Sequence, residues 1–356
     1  YKYEAGYSPD FAGLNDFGGR VVHPQKWTKD IEYTDKRVVV IGSGATAMTL
    51  VPALAKKAAH VTMLQRSPTY VISLPGEDPV AKWLRRLLPK RPAYLLTRWK
   101  NIAVASVSYQ LARHFPGVAK AGLVSRVRQD IGQNIDVDTH FNPHYNPWDQ
   151  RLCVVPDGDL FKALRRGDVS VVTDHIDRFT TTGIRLRSGD ELAADLVVTA
   201  TGLQMQFAGG MKLVVDGKPV DLPNTLVYKG MMASDVPNCA VAMGYTNASW
   251  TLKVDLVCEY VCRLLNHMDA QGYAQCCPRR VDPSITPEHL LDLSASYVER
   301  SRKSFPSGGS KRPWKVYQNY FLDRLLLRTA ALEDGTMEFR RTAAKPRATR
   351  VNPEVA

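Results

Sequence analysis

The segment RVVVIGSGATA, Arg37 to Ala47, constrains the fold more than any other stretch of the chain. A run of apolar, β-branched residues leads into Gly-x-Gly-x-x-Ala, and a helix-compatible stretch follows. Such a run reads as a strand buried on both faces of a parallel sheet. Gly42 permits the tight turn, Gly44 lets backbone amides approach a pyrophosphate, and Ala47 allows close packing of helix on strand. With Ser43, Ala45 and Thr46 beside it, the helix N-terminus then turns its partial positive charge toward the phosphates. The spacing predicts an α/β fold that binds a dinucleotide at this βαβ turn.

The end of the second strand, HVTMLQ (His60 to Gln65), decides which dinucleotide. An NAD site places Asp or Glu there to bond the ribose 2′-OH. Here Gln65-Arg66-Ser67 stands instead, and a guanidinium fork pairs with a 2′-phosphate where no carboxylate competes. NADPH is the reading; the alternative is an Arg66 that caps a loop.

Further along, Ala45–Ala59 reads as the crossover helix, and residues 75–145 as a Pro-punctuated helical insertion. The βα rhythm resumes with a helix at Gly158–Arg166 and a strand at Val169–Thr173, then a hairpin over Gly183–Leu192 turning at Ser188-Gly189-Asp190. Asp195–Thr199 is another buried strand, ending in Ala200-Thr201-Gly202, where ligands gather in open α/β sheets. A small β segment is expected at Met211–Val220, a strand at Asn238–Met243 and an amphipathic helix at Thr251–Asp269. Residues 1–35 read as turns and short segments, and the Lys/Arg/Pro-rich end from Ala343 as disordered.

The net charge of +12 is unevenly placed, for eleven Lys or Arg and no Asp or Glu fall between Ala81 and Arg128. Trp, Tyr and Leu are interleaved with them. Such a surface suits anionic lipid headgroups, while the plainer reading is a solvated helical insertion. No nucleic-acid motif accompanies the charge, so nucleic acid is not an expected partner. Six cysteines without a C-x-x-C pair, and no secretory leader, point to reduced thiols in the cytoplasm. Cys258 and Cys262 lack His or Asp partners, and His140 and His144 lack a third ligand, so no metal site is expected.

FGGRVVHPQKW (Phe17 to Trp27), GSGATA, LQRSP (Leu64 to Pro68) and DLVVTATG (Asp195 to Gly202) follow one another as they do in class B flavoprotein monooxygenases. The chain resembles the Baeyer–Villiger members of that family through essentially its whole length. HYNPWDQRLC, YKGMM and GYTNASWTLK are most similar to a branch that oxidises thioamide sulfur. The resemblance implies a two-dinucleotide-binding (Rossmann-like) flavoprotein fold using FAD, NADPH and O2 on ketones, thioamides or sulfides. It casts Phe17, Gly19, His23 and Trp27 as the linker fingerprint, with His23 coupling domain motion. Arg151 becomes the active-site cation that stabilises anionic oxygen near flavin and nicotinamide; the alternative is a structural pair with Asp149 or Asp157. Thr28 departs from the usual Pro or Asp, and Gln150 from the usual Lys.

Neither Gly18-Gly19 nor Gly209-Gly210 lies in a strand–turn–helix, so the FAD fingerprint and its segment are expected to lie outside this chain. The implied division is 1–33 linker, 34–204 NADPH-binding domain, 205–342 C-terminal part of the FAD domain with the substrate pocket, and 343–356 basic tail. By itself the chain is expected to bind NADPH and to hold FAD weakly. Two other readings stay open: an NADPH-dependent flavoprotein reductase, and a non-catalytic NADPH-binding remnant with a membrane-facing basic surface. Substrate, regiochemistry and oligomeric state are not legible.

Overall fold

The computed structural model describes residues 1–133 and 135–341, so the tail at 343–356 lies outside the described residues. The chain divides into two compact units, Tyr1–Gly209 with Leu291–Lys303, and Gly210–Leu290 with Ser304–Ala356. Nothing in the sequence pattern assigns Leu291–Lys303 to the first of them.

Ten strands belong to the first unit: β1 Arg20–Val22, β2 Arg37–Ile41, β3 His60–Gln65, β4 Val71–Leu74, β5 Cys153–Pro156, β6 Val169–Thr173, β7 Ile176–Phe179, β8 Gly183–Leu186, β9 Glu191–Ala193 and β10 Leu196–Thr199. Its labelled helices are α1 Ala45–Leu54, α2 Pro79–Leu87, α3 Lys90–His114, α4 Pro116–Ile131, α5 Val137–Phe141 and α6 Asp159–Arg166. Five strands form a parallel sheet in the order β1-β10-β2-β3-β6. Val38 sits opposite Leu196 on one side and Val61 on the other.

The alternation along β2 explains why an unbroken apolar run was needed. Val38 and Val40 join a core cluster with Ala47, Met48 and Val51 of α1. Val39 and Ile41 enter a second cluster with Phe17, Phe179 and Ile184 on the opposite face. Each such side chain contributes roughly 2 kcal/mol by burial.

Three sequence expectations need correction. The crossover helix stops at Leu54 rather than Ala59: Pro52 inside it offers no N–H, and Ala59 N–H instead donates to Lys36 O at 3.0 Å. Residues 1–35 include a true strand, β1, pairing in parallel with β10. The strand expected at Asn238–Met243 does not form. Asn238 takes a left-handed φ of 53°, and its N–H donates to Cys276 O at 2.9 Å, breaking the extended run.

In the second unit, α7 (Trp250–Gln271) packs against α8 (Tyr320–Thr329), and β11 (Tyr273–Pro278) pairs antiparallel with β12 (Met337–Arg341).

Candidate functional site

The chain leaves β2 through α1 to β3 on one side and returns much later as β10 on the other side of β2. Such a reversal opens a crevice at the C-terminal ends of the two strands. Gly42 stands there with φ 131°, and a Cβ would fall 2.4 Å from Ala200 O, so only glycine fits. Gly44 precedes α1, which has no side-chain cap. A Cβ on Gly44 would meet nothing within 4 Å. Ala45 and Thr46 are exposed, whereas Ala47 is fully buried against the sheet. The first-turn amides of α1 have no intrahelical acceptors, so this end of the helix suits an anionic ligand. Ser43 Oγ fixes the turn by donating to Ser67 O at 3.2 Å and lying 3.1 Å from Thr69 Oγ1.

At the end of β3, Gln65 turns inward. Its amide donates to His140 O at 2.7 Å and Thr173 Oγ1 at 2.9 Å, so the side chain braces α5 and β6 and is closed to a ligand. His140 contacts Thr173 Oγ1 through Nδ1 at 2.8 Å, and burial depresses its basicity. Arg66 is exposed and engages no acceptor among the described residues. The turn, the uncapped helix end and a free guanidinium thus fit a dinucleotide with a 2′-phosphate.

The fingerprint residues bind the linker to the sheet. Phe17 meets Phe179 edge-on at 5.8 Å, and Trp27 meets Tyr33 in the same manner at 5.8 Å. Gly19 has no room for a side chain, since a Cβ would lie 2.6 Å from both Asp195 O and the Phe17 ring. His23 Nδ1 accepts from Gln25 N–H at 3.2 Å, which assigns the ring proton to Nε2, 3.3 Å from Gly202 O. The ring therefore both caps a turn and ties the linker to the loop after β10. That loop is held again where Thr201 Oγ1 donates to Tyr7 O at 2.5 Å and Tyr7 N–H donates to Gly202 O at 3.0 Å.

Arg151 is exposed just before β5. Its two conceivable structural partners are taken: Asp149 accepts from Arg113 at 2.9 Å and Asp157 from Gly76 N–H at 2.9 Å. The guanidinium has no counter-ion among the described residues. Burial pushes the Cys153 thiol up to about 11, and Arg151 works against that rise; it does the same for half-buried Tyr297. β5 pairs with β4 outside the central sheet, so Arg151 stands on a different framework from the Gly42–Ala47 turn.

Sequence reasoning missed two polar clusters in the second unit. Lys253 and Asp323 pair at 2.7 Å with side chains 5% exposed each, and Tyr245 donates to the same carboxylate at 2.7 Å. Lys229 pairs with Asp334 at 3.0 Å, and Tyr228 donates to it at 2.6 Å. Burial opposes ionisation of Asp334, yet the bonds from Tyr228 and Lys229 prevail and hold its carboxyl below the usual range. Both pairs border one cavity of about 160 Å³. A charge on the apolar stripe of α7, Lys253 beside Leu252, Leu256 and Val257, was the available signal for the first cluster.

A family model described as flavin-binding monooxygenase-like matches residues 7–115. The FAD-containing monooxygenase EthA of Mycobacterium tuberculosis is 50% identical over 345 residues, 97% of this chain and 71% of that protein. The probable FAD-binding monooxygenase AlmA of Acinetobacter baylyi is 48% identical over 341 residues, 95% of this chain and 68% of its own. A solved steroid monooxygenase, oxidised and bound to NADP, shares the fold with a TM-score of 0.67 at 17% identity, over 95% of this chain and 73% of its own. OTEMO in complex with FAD and NADP gives 0.66 at 18% identity, over 94% and 74%. These are two-dinucleotide-binding flavoprotein folds, and half-identity over nearly the whole chain is decisive: the chain belongs to the flavin-binding monooxygenase-like family.

Proposed function

We propose that the chain serves an NADPH- and FAD-dependent monooxygenase reaction. One oxygen atom of O2 is inserted beside a ketone carbonyl or added to the sulfur of a thioamide or sulfide. The observation that carries the cofactor assignment is Arg66, exposed and without an acceptor at the end of β3, beside a turn that admits only glycine at Gly42. NADP(H) is held by the amides at the start of α1 against its pyrophosphate and by Arg66 on its 2′-phosphate. His23 holds the Gly202 loop to the linker, and Arg151 supplies an uncompensated positive charge for anionic oxygen. Bound FAD supplies the oxygen activation. Gly42–Ala47 is the one glycine turn of this kind among the described residues, and it matches NADP(H) rather than the flavin's own dinucleotide half.

Titration of the purified chain with NADPH and NADH tests the cofactor assignment. Arg66→Ala should weaken NADPH by about tenfold or more, as expected for a lost charge-assisted pair, and leave NADH unchanged. Equal loss for both would refute it. Substrate-dependent consumption of NADPH and O2 with an oxygenated product separates the monooxygenase from a reductase.

We also propose that the α2–α3 surface rests on the inner face of a cell membrane. Trp83, Leu87 and Tyr94 are 59%, 60% and 59% exposed, and Arg85, Arg86, Lys90 and Arg91 are exposed among them. No helix among the described residues is long and apolar enough to cross a membrane. Bases near an anionic surface contribute about 1 kcal/mol each. Sedimentation with phosphatidylserine vesicles should therefore be abolished by reversing those four charges, and undiminished binding would sink the idea.

A further inference from the structure

We propose that Arg300 is a second dinucleotide-binding cation, placed on the diphosphate rather than the 2′-phosphate. The inference rests on the NADP(H) reading of the Gly42–Ala47 turn. Arg300 lies on the short helix Ser296–Ser301, inside the segment Leu291–Lys303 that the chain sends back to the first unit. Three small contacts anchor that segment: Leu293, Ala295 and Val298 form a cluster with Met205 packed on it. Ser294 N–H donates to Asp149 O at 2.8 Å as well.

The anchoring brings the guanidinium to the switch-point crevice. Its Nη2 lies 3.3 Å from where a Cβ of Gly202 would be, two residues beyond Ala200, the partner of Gly42 in the turn. Its Cζ sits 3.6 Å over the Tyr7 ring centroid. Tyr7 is itself held on both sides, by its N–H on Gly202 O and by Thr201 Oγ1 on its carbonyl. An exposed arginine normally samples many rotamers, but stacking on a fixed ring restricts this one. No carboxylate among the described residues pairs with it; neighbouring Glu299 is engaged by Arg302. A fixed, uncompensated guanidinium at the C-terminal ends of β2 and β10 is matched to the anion that α1 also faces, the pyrophosphate. Arg66, at the far end of β3, is left to read the 2′-phosphate.

Calorimetric titration of the full chain with NADP⁺ and NAD⁺ tests this division of labour. Arg300→Ala should weaken both dinucleotides by the same factor, about tenfold, equivalent to ~1.4 kcal/mol. Arg300→Lys should recover part of the loss, since the charge returns without the planar fork. Tyr7→Leu keeps the charge but frees it, and should weaken both by a smaller factor. Unchanged thermal unfolding of Arg300→Ala separates lost binding from lost structure. The proposal is overturned if Arg300→Ala leaves both affinities within about twofold of wild type, or weakens NADP⁺ alone. Failure of the underlying cofactor reading looks different: the wild-type chain would bind neither dinucleotide, or Arg66→Ala would leave their ratio unchanged.

Discussion

Replacing one member of the buried Lys253–Asp323 pair should destabilise the second unit far more than replacing both. The ions lie 2.7 Å apart with 5% of each side chain exposed. At an effective dielectric constant of about 20, their attraction is about 6 kcal/mol. Taking each ion out of water costs several kcal/mol, so the intact pair is close to neutral overall. Asp323→Leu strands an ammonium in the interior and leaves Tyr245 Oη without its acceptor, costing about 3–5 kcal/mol for the ion and ~1 kcal/mol for the hydroxyl. Lys253→Met strands a carboxylate that still accepts from Tyr245. It should be the milder change, because Lys253 sits in the first turns of α7, where the helix dipole disfavours a cation by about 0.3–1 kcal/mol. The double variant, Lys253→Met with Asp323→Leu, should return to within about 2 kcal/mol of wild type. Scanning calorimetry, read on the transition of the second unit, gives the full double-mutant cycle. The reasoning fails if either single variant costs under about 1 kcal/mol, or if the double is no better than the worse single.

Gly42→Ala should cost several kcal/mol, beyond the ~1–3 kcal/mol of backbone strain alone, because its Cβ also meets a carbonyl oxygen; a melting temperature within about 2 °C of wild type would contradict this. Asp195 accepts from Arg37, which holds its carboxyl down at about 2. The depressed value means that this pair stabilises the fold above the unfolded carboxylate value of about 4 and is lost as pH falls from there through about 2. Asp195→Asn should flatten acid unfolding in that window, and identical acid melts for the two proteins would rule the pair out as a contributor. Cys258 and Cys262 are exposed, whereas Cys153, Cys276 and Cys277 are buried with their thiols pushed up. A thiol reagent at neutral pH should label the first two quickly and the buried three only on unfolding, as peptide mapping would reveal.

Local pattern made the nucleotide half legible. The VVVI run of β2, the glycine turn and the hairpin at Gly183–Leu192 are written in residues close together in sequence, where alternation and turn chemistry decide the outcome. Helix α7 was readable for the same reason, within a residue or two of its ends. What escaped depends on distant partners. Gln65 sits at the expected position yet faces inward, because His140 O and Thr173 Oγ1 compete for its amide. The failed strand at Asn238–Met243 was undone by a bond to Cys276 that no local preference announces. Arg300 could not be connected with Gly202 from the sequence, since nothing periodic links residues so far apart.

The return of Leu291–Lys303 to the first unit also bears on how the protein is made. On a ribosome, the sheet and its glycine turn emerge early, but the last piece of their unit waits until all of Gly210–Leu290 has been synthesised. The first unit therefore spends that interval without Arg300 and the Leu293–Val298 cluster. A nascent chain stalled before Leu291 would hold a folded sheet in an unfinished unit, and long-range closure of this kind is slow relative to local structure. Completion of the first unit is thus timed by translation of an intervening unit rather than by folding of the sheet itself.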